Sequence, residues 1–200
     1  MNNTTIIMAG AFMALASAAY AADDNAVKPY VGLNLSTIKA NYENDPTLGI
    51  DGSDLFDDRL NGLAPYVGLQ ITPRIALELG YLRSQEGKKD NVLGTAVDSK
   101  IRLSGLTADV VGNLPISADG QTAVLGSAGL VRYTGKISAT DGVTTVSTDD
   151  ADVGFRLGAG VQHQLNDTWG ARAMVHYTKV DFDDSVKNLV SASIGLNYKF

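Results

Sequence analysis

The chain has no cysteine, only two histidines, five prolines in 200 residues and, beyond its first 21 residues, no long apolar run. Without disulfides, an exported protein must draw its stability from elsewhere, and closure of a sheet on itself would supply it. A membrane-spanning helix needs around 18 consecutive apolar residues, so a helical membrane protein is excluded. Basic residues are also too few and too scattered: the net charge is −6, and no basic stripe exists to neutralise phosphates. That disfavours nucleic-acid binding. Glycine, by contrast, is abundant at 21 residues, which with scarce proline fits many strands in close backbone approach better than a disordered chain.

Residues 1–21 have the form of an export signal. A polar start, Asn2-Asn3-Thr4-Thr5, precedes an apolar stretch from Ile6 to Leu15 and small residues ending in Ala19-Tyr20-Ala21. This is an A-x-A cleavage site, although the start lacks Lys or Arg. The expected organisation is a signal peptide over 1–21 and a single domain over 22–200.

The informative pattern is alternation with period two. Val190, Ala192, Ile194, Leu196, Tyr198 and Phe200 share one face, and Ser191, Ser193, Gly195, Asn197 and Lys199 the other. About ten alternating residues cross a bilayer at a tilt near 45°, and backbone groups there must all be paired, which requires a closed barrel. Seven more candidate strands read the same way: about Val27–Thr37, Leu63–Ile71, Ile75–Tyr81, Lys100–Asn113, Thr122–Tyr133, Val153–Gln164 and Trp169–Tyr177. In the fourth of the eight the phase changes between Leu103 and Leu106, and a bulge near Ser104-Gly105 would reconcile the halves. In the fifth, an inward Arg132 leaves Leu125, Val131 and Tyr133 outward. Tyr30 and Tyr66 point inward or sit at a margin.

Connection lengths alternate. Short turns fall at Thr72-Pro73-Arg74, near Pro115 to Gly120 and at Asn166-Asp167-Thr168; longer segments fall at 41–62, 83–99, 135–152 and 180–188. Outer-membrane barrels have short periplasmic turns and long external loops, which puts both termini in the periplasm. On that reading Tyr81, Tyr133, Phe155 and Tyr177 form an external aromatic girdle, and Trp169, Tyr198 and Phe200 a periplasmic one.

The competing fold is a soluble eight-stranded barrel, which alternates equally well but needs charge on its outer face. Here the less apolar face is Gly, Ser, Asn and Gln with isolated Arg or Glu, suited to a narrow polar lumen. The expected fold is therefore an all-β, eight-stranded antiparallel transmembrane barrel. The stretches GFRLGAGVQHQLNDTWGARAMVHYTKVDF and SIGLNYKF, with PYVGLQITPRIALELGYLR and PYVGLNL, resemble the small outer-membrane barrel superfamily that includes the OmpA transmembrane domain and OmpX-type proteins. The resemblance implies an eight-stranded barrel, exported by the Sec route and inserted by the outer-membrane assembly machinery through its C-terminal strand. The chain is expected to end with the barrel, without the peptidoglycan-binding domain that follows in full-length OmpA. Met174 departs from the family, whose members often carry Glu there.

Inward Glu78, Arg156 and Arg172, with Arg132, are expected to form an ionic cluster in the lumen. Such a cluster acts as a structural plug or, if its pairs exchange, as a gate. No catalytic, cofactor-binding or metal site is expected. His163 lies outward and His176 inward; His163-Gln164-Leu165 and His176-Tyr177-Thr178 lack the His-x-Ser arrangement of lipid A deacylases, and no G-x-S-x-G elbow exists. Acidic residues gather at Glu43, Asp45, Asp51, Asp54, Asp57 and Asp58, at Asp149, Asp150 and Asp152, and at Asp181, Asp183 and Asp184. They read as solvated loops, with cation bridging to lipopolysaccharide or display to a basic ligand as alternatives, and without EF-hand spacing. The expected function is a monomeric structural and surface-interaction barrel in contact with outer-membrane lipid and lipopolysaccharide; a narrow diffusion channel is the alternative.

Overall fold

A computed structural model describes residues 27–42, 59–89, 98–140, 145–182 and 186–200. The expected signal peptide and the acidic segment 43–58 lie outside them. The described residues form nine strands: β1 (Lys28–Tyr42), β2 (Arg59–Thr72), β3 (Ile75–Ser84), β4 (Gly87–Lys89), β5 (Asp98–Pro115), β6 (Thr122–Thr140), β7 (Thr145–Gln164), β8 (Trp169–Phe182) and β9 (Val186–Lys199). All pair antiparallel with their neighbours, and β1 pairs with both β2 and β9. β3 and β4 both pair with β5, their registers offset by one residue across Gln85-Glu86. β4 thus continues β3, and the nine strands make a closed wall of eight staves.

The register fixes the tilt. Following partners from Tyr30 through Gly68, Glu78, Asp109, Gly129, Arg156, Thr178 and Leu189 returns to β1 at Ala40, ten residues along. Ten residues at about 3.3 Å against eight staves at about 4.8 Å sets the strands roughly 40° from the axis. Each step to the next stave then rises about 3 Å. On this frame the outward Trp169, Tyr198 and Phe200 lie about 20 Å below Tyr81, Phe155 and Tyr177, close to the apolar band of an outer-membrane barrel. Between them the outer face is greasy and bare: Leu35, Leu79, Leu106, Leu130, Leu157 and Ile194 are each more than half exposed or nearly so.

Short turns at the end carrying Lys28 and Phe200 are closed by side-chain acceptors. Thr72 Oγ1 accepts the N–H groups of Arg74 and Ile75, and Asn166 Oδ1 accepts those of Thr168 and Trp169. Asp119 accepts from Ser117 and from the Gln121 N–H, with Gly120 at φ 69°. Such Asx- and ST-type bonds reverse the chain in few residues.

At the opposite end the strands run further than alternation alone suggested. β6 reaches Thr140 and β7 begins at Thr145, so most of the segment expected as a loop over 135–152 is a two-stranded extension. Its Thr- and Ser-rich stretch, Thr145-Val146-Ser147-Thr148, is loop-like in composition but favourable to an extended backbone.

The expected bulge near Ser104-Gly105 is corrected. β5 pairs with β6 without a break from Asp98↔Thr140 to Pro115↔Ala123. Instead, the apolar face changes sides. Leu106 and Val110 face out, as membrane strands require, whereas Leu103 is buried inside. β6 switches likewise: Leu130 is 56% exposed outward, while Val131 and Tyr133 are 1% and 2% exposed inward. Arg132 accordingly stands exposed on the outer face. The placements of Arg132 in the lumen and of Leu125, Val131 and Tyr133 outward, Tyr133 in the external girdle, are therefore reversed: above the apolar band the wall takes the polarity of a soluble barrel, and lower down Leu125 shares the inward parity and fills the lumen beside Tyr30 and Met174.

Candidate functional site

The lumen is filled in layers, and glycine decides where large side chains can lie. Gly68 is the cross-strand partner of Tyr30, and Gly32 that of Tyr66; a Cβ at either glycine would fall within the opposing tyrosine ring. The same relation joins Gly105 to Tyr133, Gly158 to His176 and Gly160 to Met174. Small and large inward residues thus alternate across the wall, as filling a narrow barrel demands. Tyr30 and Tyr66 meet edge to face, with centroids 6.2 Å apart.

Glu78 is the centre of this layer. Arg172 donates Nη1–H to Oε1 at 2.7 Å and Nη2–H to Oε2 at 3.1 Å, and Tyr30 donates its hydroxyl to Oε1 at 2.6 Å. The Arg172 guanidinium also lies 3.9 Å above the Tyr66 ring. The carboxylate therefore receives three bonds, and the guanidinium is held by both a bidentate pair and an aromatic face. Both charged side chains are almost fully buried. A pair in this setting tolerates loss of neither partner.

A second pair stands higher. Arg156 Nε approaches Asp109 Oδ1 at 3.2 Å, but outside hydrogen-bond geometry, since neither atom has a hydrogen-bond partner. Asp109 is inward and buried on β5; the sequence reading did not single it out, although its parity is opposite to that of the outward Leu106 and Val110 beside it. Glu78, Arg156 and Arg172 are thus brought into one lumen, where with Asp109 they make two separate pairs, and Arg132 is not among them.

Two small cavities border Glu78 and Arg172. One, of about 20 Å³, lies on the short-turn side with Tyr30, Gln162, Asn197 and Lys199. The other, of about 50 Å³, lies above with Asn34, Asp109, Arg156 and His176. By the measure that one water needs about 10–15 Å³, they hold a few waters at most. Asn34 Oδ1 and Ser127 Oγ, buried and without a protein hydrogen-bond partner, border this interior. Below, Asn197 donates to Gln162 and Lys199 to Gln164.

Above the ionic layer the lumen closes. Ile38, Leu60, Leu82, Leu103, Val131, Tyr133, Val180 and Leu189, drawn from seven strands, pack into one buried cluster. Nothing in simple alternation exposed this plug, because its residues share a parity that is polar lower down the same strands.

The remaining expected residues fall on the outer face. Tyr198 packs edge-on against Trp169 and Phe200, with centroids 5.2 and 5.3 Å apart, giving an aromatic belt at the short-turn rim. Phe155 and Tyr177 are about half exposed and Tyr81 is partly exposed at the other. His163 is outward, its Nδ1 3.0 Å from Thr122 Oγ1, and His176 is buried in the lumen.

A family model described as the outer membrane protein beta-barrel domain matches residues 8–200. Among curated proteins nothing matches. Among solved structures the chain is similar to OprG of Pseudomonas aeruginosa, with 12% identity, a TM-score of 0.59, and coverage of 88% of this chain and 96% of that one. It is also similar to Ail, the attachment invasion locus protein of Yersinia pestis, at 15% identity and TM-score 0.55, covering 87% and 97%. Neisserial surface protein A matches at 19% identity and TM-score 0.53, covering 86% and 97%. At these identities the likeness is one of fold.

Proposed function

The chain belongs to the outer membrane protein beta-barrel family, and from that membership we propose that it is a closed structural barrel presenting its long connections at the cell surface. The observation that carries this reading is the buried plug of Ile38, Leu60, Leu82, Leu103, Val131, Tyr133, Val180 and Leu189 across the lumen. A water path must pass that layer, and apolar side chains in mutual contact resist wetting. Below it, the Glu78–Arg172 pair braces four staves, β1, β2, β3 and β8, through Tyr30 and Tyr66.

In this reading residues 1–21 are an export signal and 22–200 the barrel, with both termini periplasmic and the long connections external. The assembly machinery recognises β9 with its outward Tyr198 and Phe200, and the barrel works as a monomer surrounded by outer-membrane lipid and lipopolysaccharide. It is not an enzyme: at His163 the imidazole meets a hydroxyl, but the Asp119 carboxylate turns to Ser117 and Gln121 rather than to the ring.

A narrow channel is the second reading, favoured by the cavities that border Glu78 and Arg172. Single-channel recording on the refolded chain without residues 1–21, beside Glu78→Gln, separates the two. A silent wild type that migrates as a folded barrel on unboiled gels supports the closed barrel; discrete steps altered by Glu78→Gln would replace it with the channel. Protease access to the long connections on intact cells tests the orientation.

A further inference from the structure

Just above the upper aromatic girdle, the outer wall carries Lys39 on β1, Arg83 on β3, Arg132 on β6 and Lys179 on β8, all exposed. Eight staves closing the wall put these four on every second one. Carried round on the register and a tilt near 40°, their Cα atoms fall within about 4 Å of one height, roughly 5 Å above the mean level of Tyr81, Phe155 and Tyr177. The outward positions between them are uncharged: Thr37, Asn61, Ser104, Thr134 and Asn188. Among the described residues no carboxylate stands on the outer face at that level. In a chain of net charge −6, this ring of positive charge is local and specific.

We propose that the ring is a binding belt for the phosphate groups of phosphorylated lipids packed around the barrel. The position argues for lipid. Side chains a few ångströms above an aromatic girdle are at head-group depth, and long basic side chains lay their methylenes along apolar surface while their charges reach that level. The spacing argues for several head groups. The four Cα atoms lie roughly 12 Å apart round the wall, beyond a Debye length of about 8 Å, so each cation meets its own phosphate without strong mutual repulsion. Arg83 and Arg132 can grip phosphate oxygens bidentately, whereas Lys39 and Lys179 act as point charges. The plug inside completes the argument: at this height the interior is apolar and the exterior cationic, the arrangement expected where the wall has left the hydrocarbon and entered the charged layer.

The inference rests on the membrane reading above, but its test is independent of which end faces outward. Refolded barrel in neutral detergent micelles is titrated with a diphosphorylated lipid A and with the same lipid stripped of phosphate, and retained lipid is counted by native mass spectrometry. Wild type is expected to retain the phosphorylated form selectively. A cation near an anionic lipid surface contributes about fivefold, so each of Lys39→Gln, Arg83→Gln, Arg132→Gln and Lys179→Gln should weaken retention by that factor, and the four together by more than a hundredfold. Arg74→Gln, in the opposite turn, should change nothing. Equal retention of both lipids, unaltered retention in the fourfold variant, or displacement by millimolar inorganic phosphate would overturn the proposal. Folding is scored on unboiled gels, and the pairs Lys39→Gln/Arg83→Gln and Arg132→Gln/Lys179→Gln serve if the fourfold variant does not fold. Failure here with a silent, folded wild type removes the belt and leaves the closed barrel standing.

Discussion

Replacing Glu78 by Gln keeps the shape of the side chain and removes its charge. The amide oxygen can still accept from Tyr30 or from one Arg172 nitrogen, but the amide nitrogen is a donor set against Arg172 Nη2, now 3.1 Å from a carboxylate oxygen. Arg172 is buried, and its remaining contact is the Tyr66 face at 3.9 Å. Asp109, the other buried carboxylate among the described residues, already faces Arg156. Breaking a buried pair by removing one partner costs about 3–5 kcal/mol. The cavities on either side admit a few waters and place the loss at the lower end, about 3 kcal/mol, a factor of roughly 150 in the unfolding equilibrium. Urea unfolding in micelles, followed by the mobility of folded barrel on unboiled gels, measures it. Glu78→Leu/Arg172→Met removes both charges and should lose less than Glu78→Gln, the non-additivity expected of a coupled pair. A Glu78→Gln barrel within about 0.5 kcal/mol of wild type, the range of an inert surface change, would refute the brace and show the carboxylate to be solvated in the lumen.

The plug predicts the opposite behaviour for conductance. Val131→Ser with Leu82→Ser should turn a silent barrel into one with measurable conductance steps, at a stability cost of several kcal/mol; continued silence in a folded variant would show that closure lies elsewhere. Gly68→Ala drives a methyl into the Tyr30 ring and should cost about 1–3 kcal/mol, with the ring displacement visible as a shifted Tyr30 resonance. At the turn, the Ser117 hydroxyl, followed by the Gln121 N–H, holds the Asp119 carboxyl below its usual range. A depressed folded-state pKa stabilises above the unfolded value and is lost as pH falls through the folded one, so the turn should loosen only in acid. An NMR titration of Asp119 should move upward in Ser117→Ala, and an unchanged titration would exclude the hydroxyl as the cause.

How much of this was legible in the sequence depends on which side of the membrane boundary a residue lies. Inside the apolar band, period-two alternation placed Glu78, Arg156, Arg172 and the outward Trp169, Tyr177 and Tyr198 on their observed faces; it failed at Leu125, an apolar residue that fills the lumen. It also paired β2 with β3 across Thr72-Pro73-Arg74. Above the band the solvent outside changes from hydrocarbon to water and charged head groups, so the same strand inverts its pattern with no change in backbone. Leu103 and Leu106 differ by three residues, an odd number, and both are correct hydrophobic positions for the medium at their own height. A bulge was one way to reconcile them; a change of solvent was the other. Arg132 and Tyr133 were misplaced for the same reason, since a tyrosine near an interface is normal outside a barrel and an arginine is tolerated inside a polar lumen. The sequence did carry a discriminating signal. Three staves, the adjacent β5 and β6 and the distant β1, switch parity at nearly the same height, with Leu103, Val131 and Ile38 inward beside outward Leu106, Leu130 and Leu35. Bulges arise strand by strand, whereas a solvent boundary cuts all strands at one level. A phase change shared at one height by strands on different sides of the wall therefore marks the edge of the bilayer, and it locates both the plug within and the cations without.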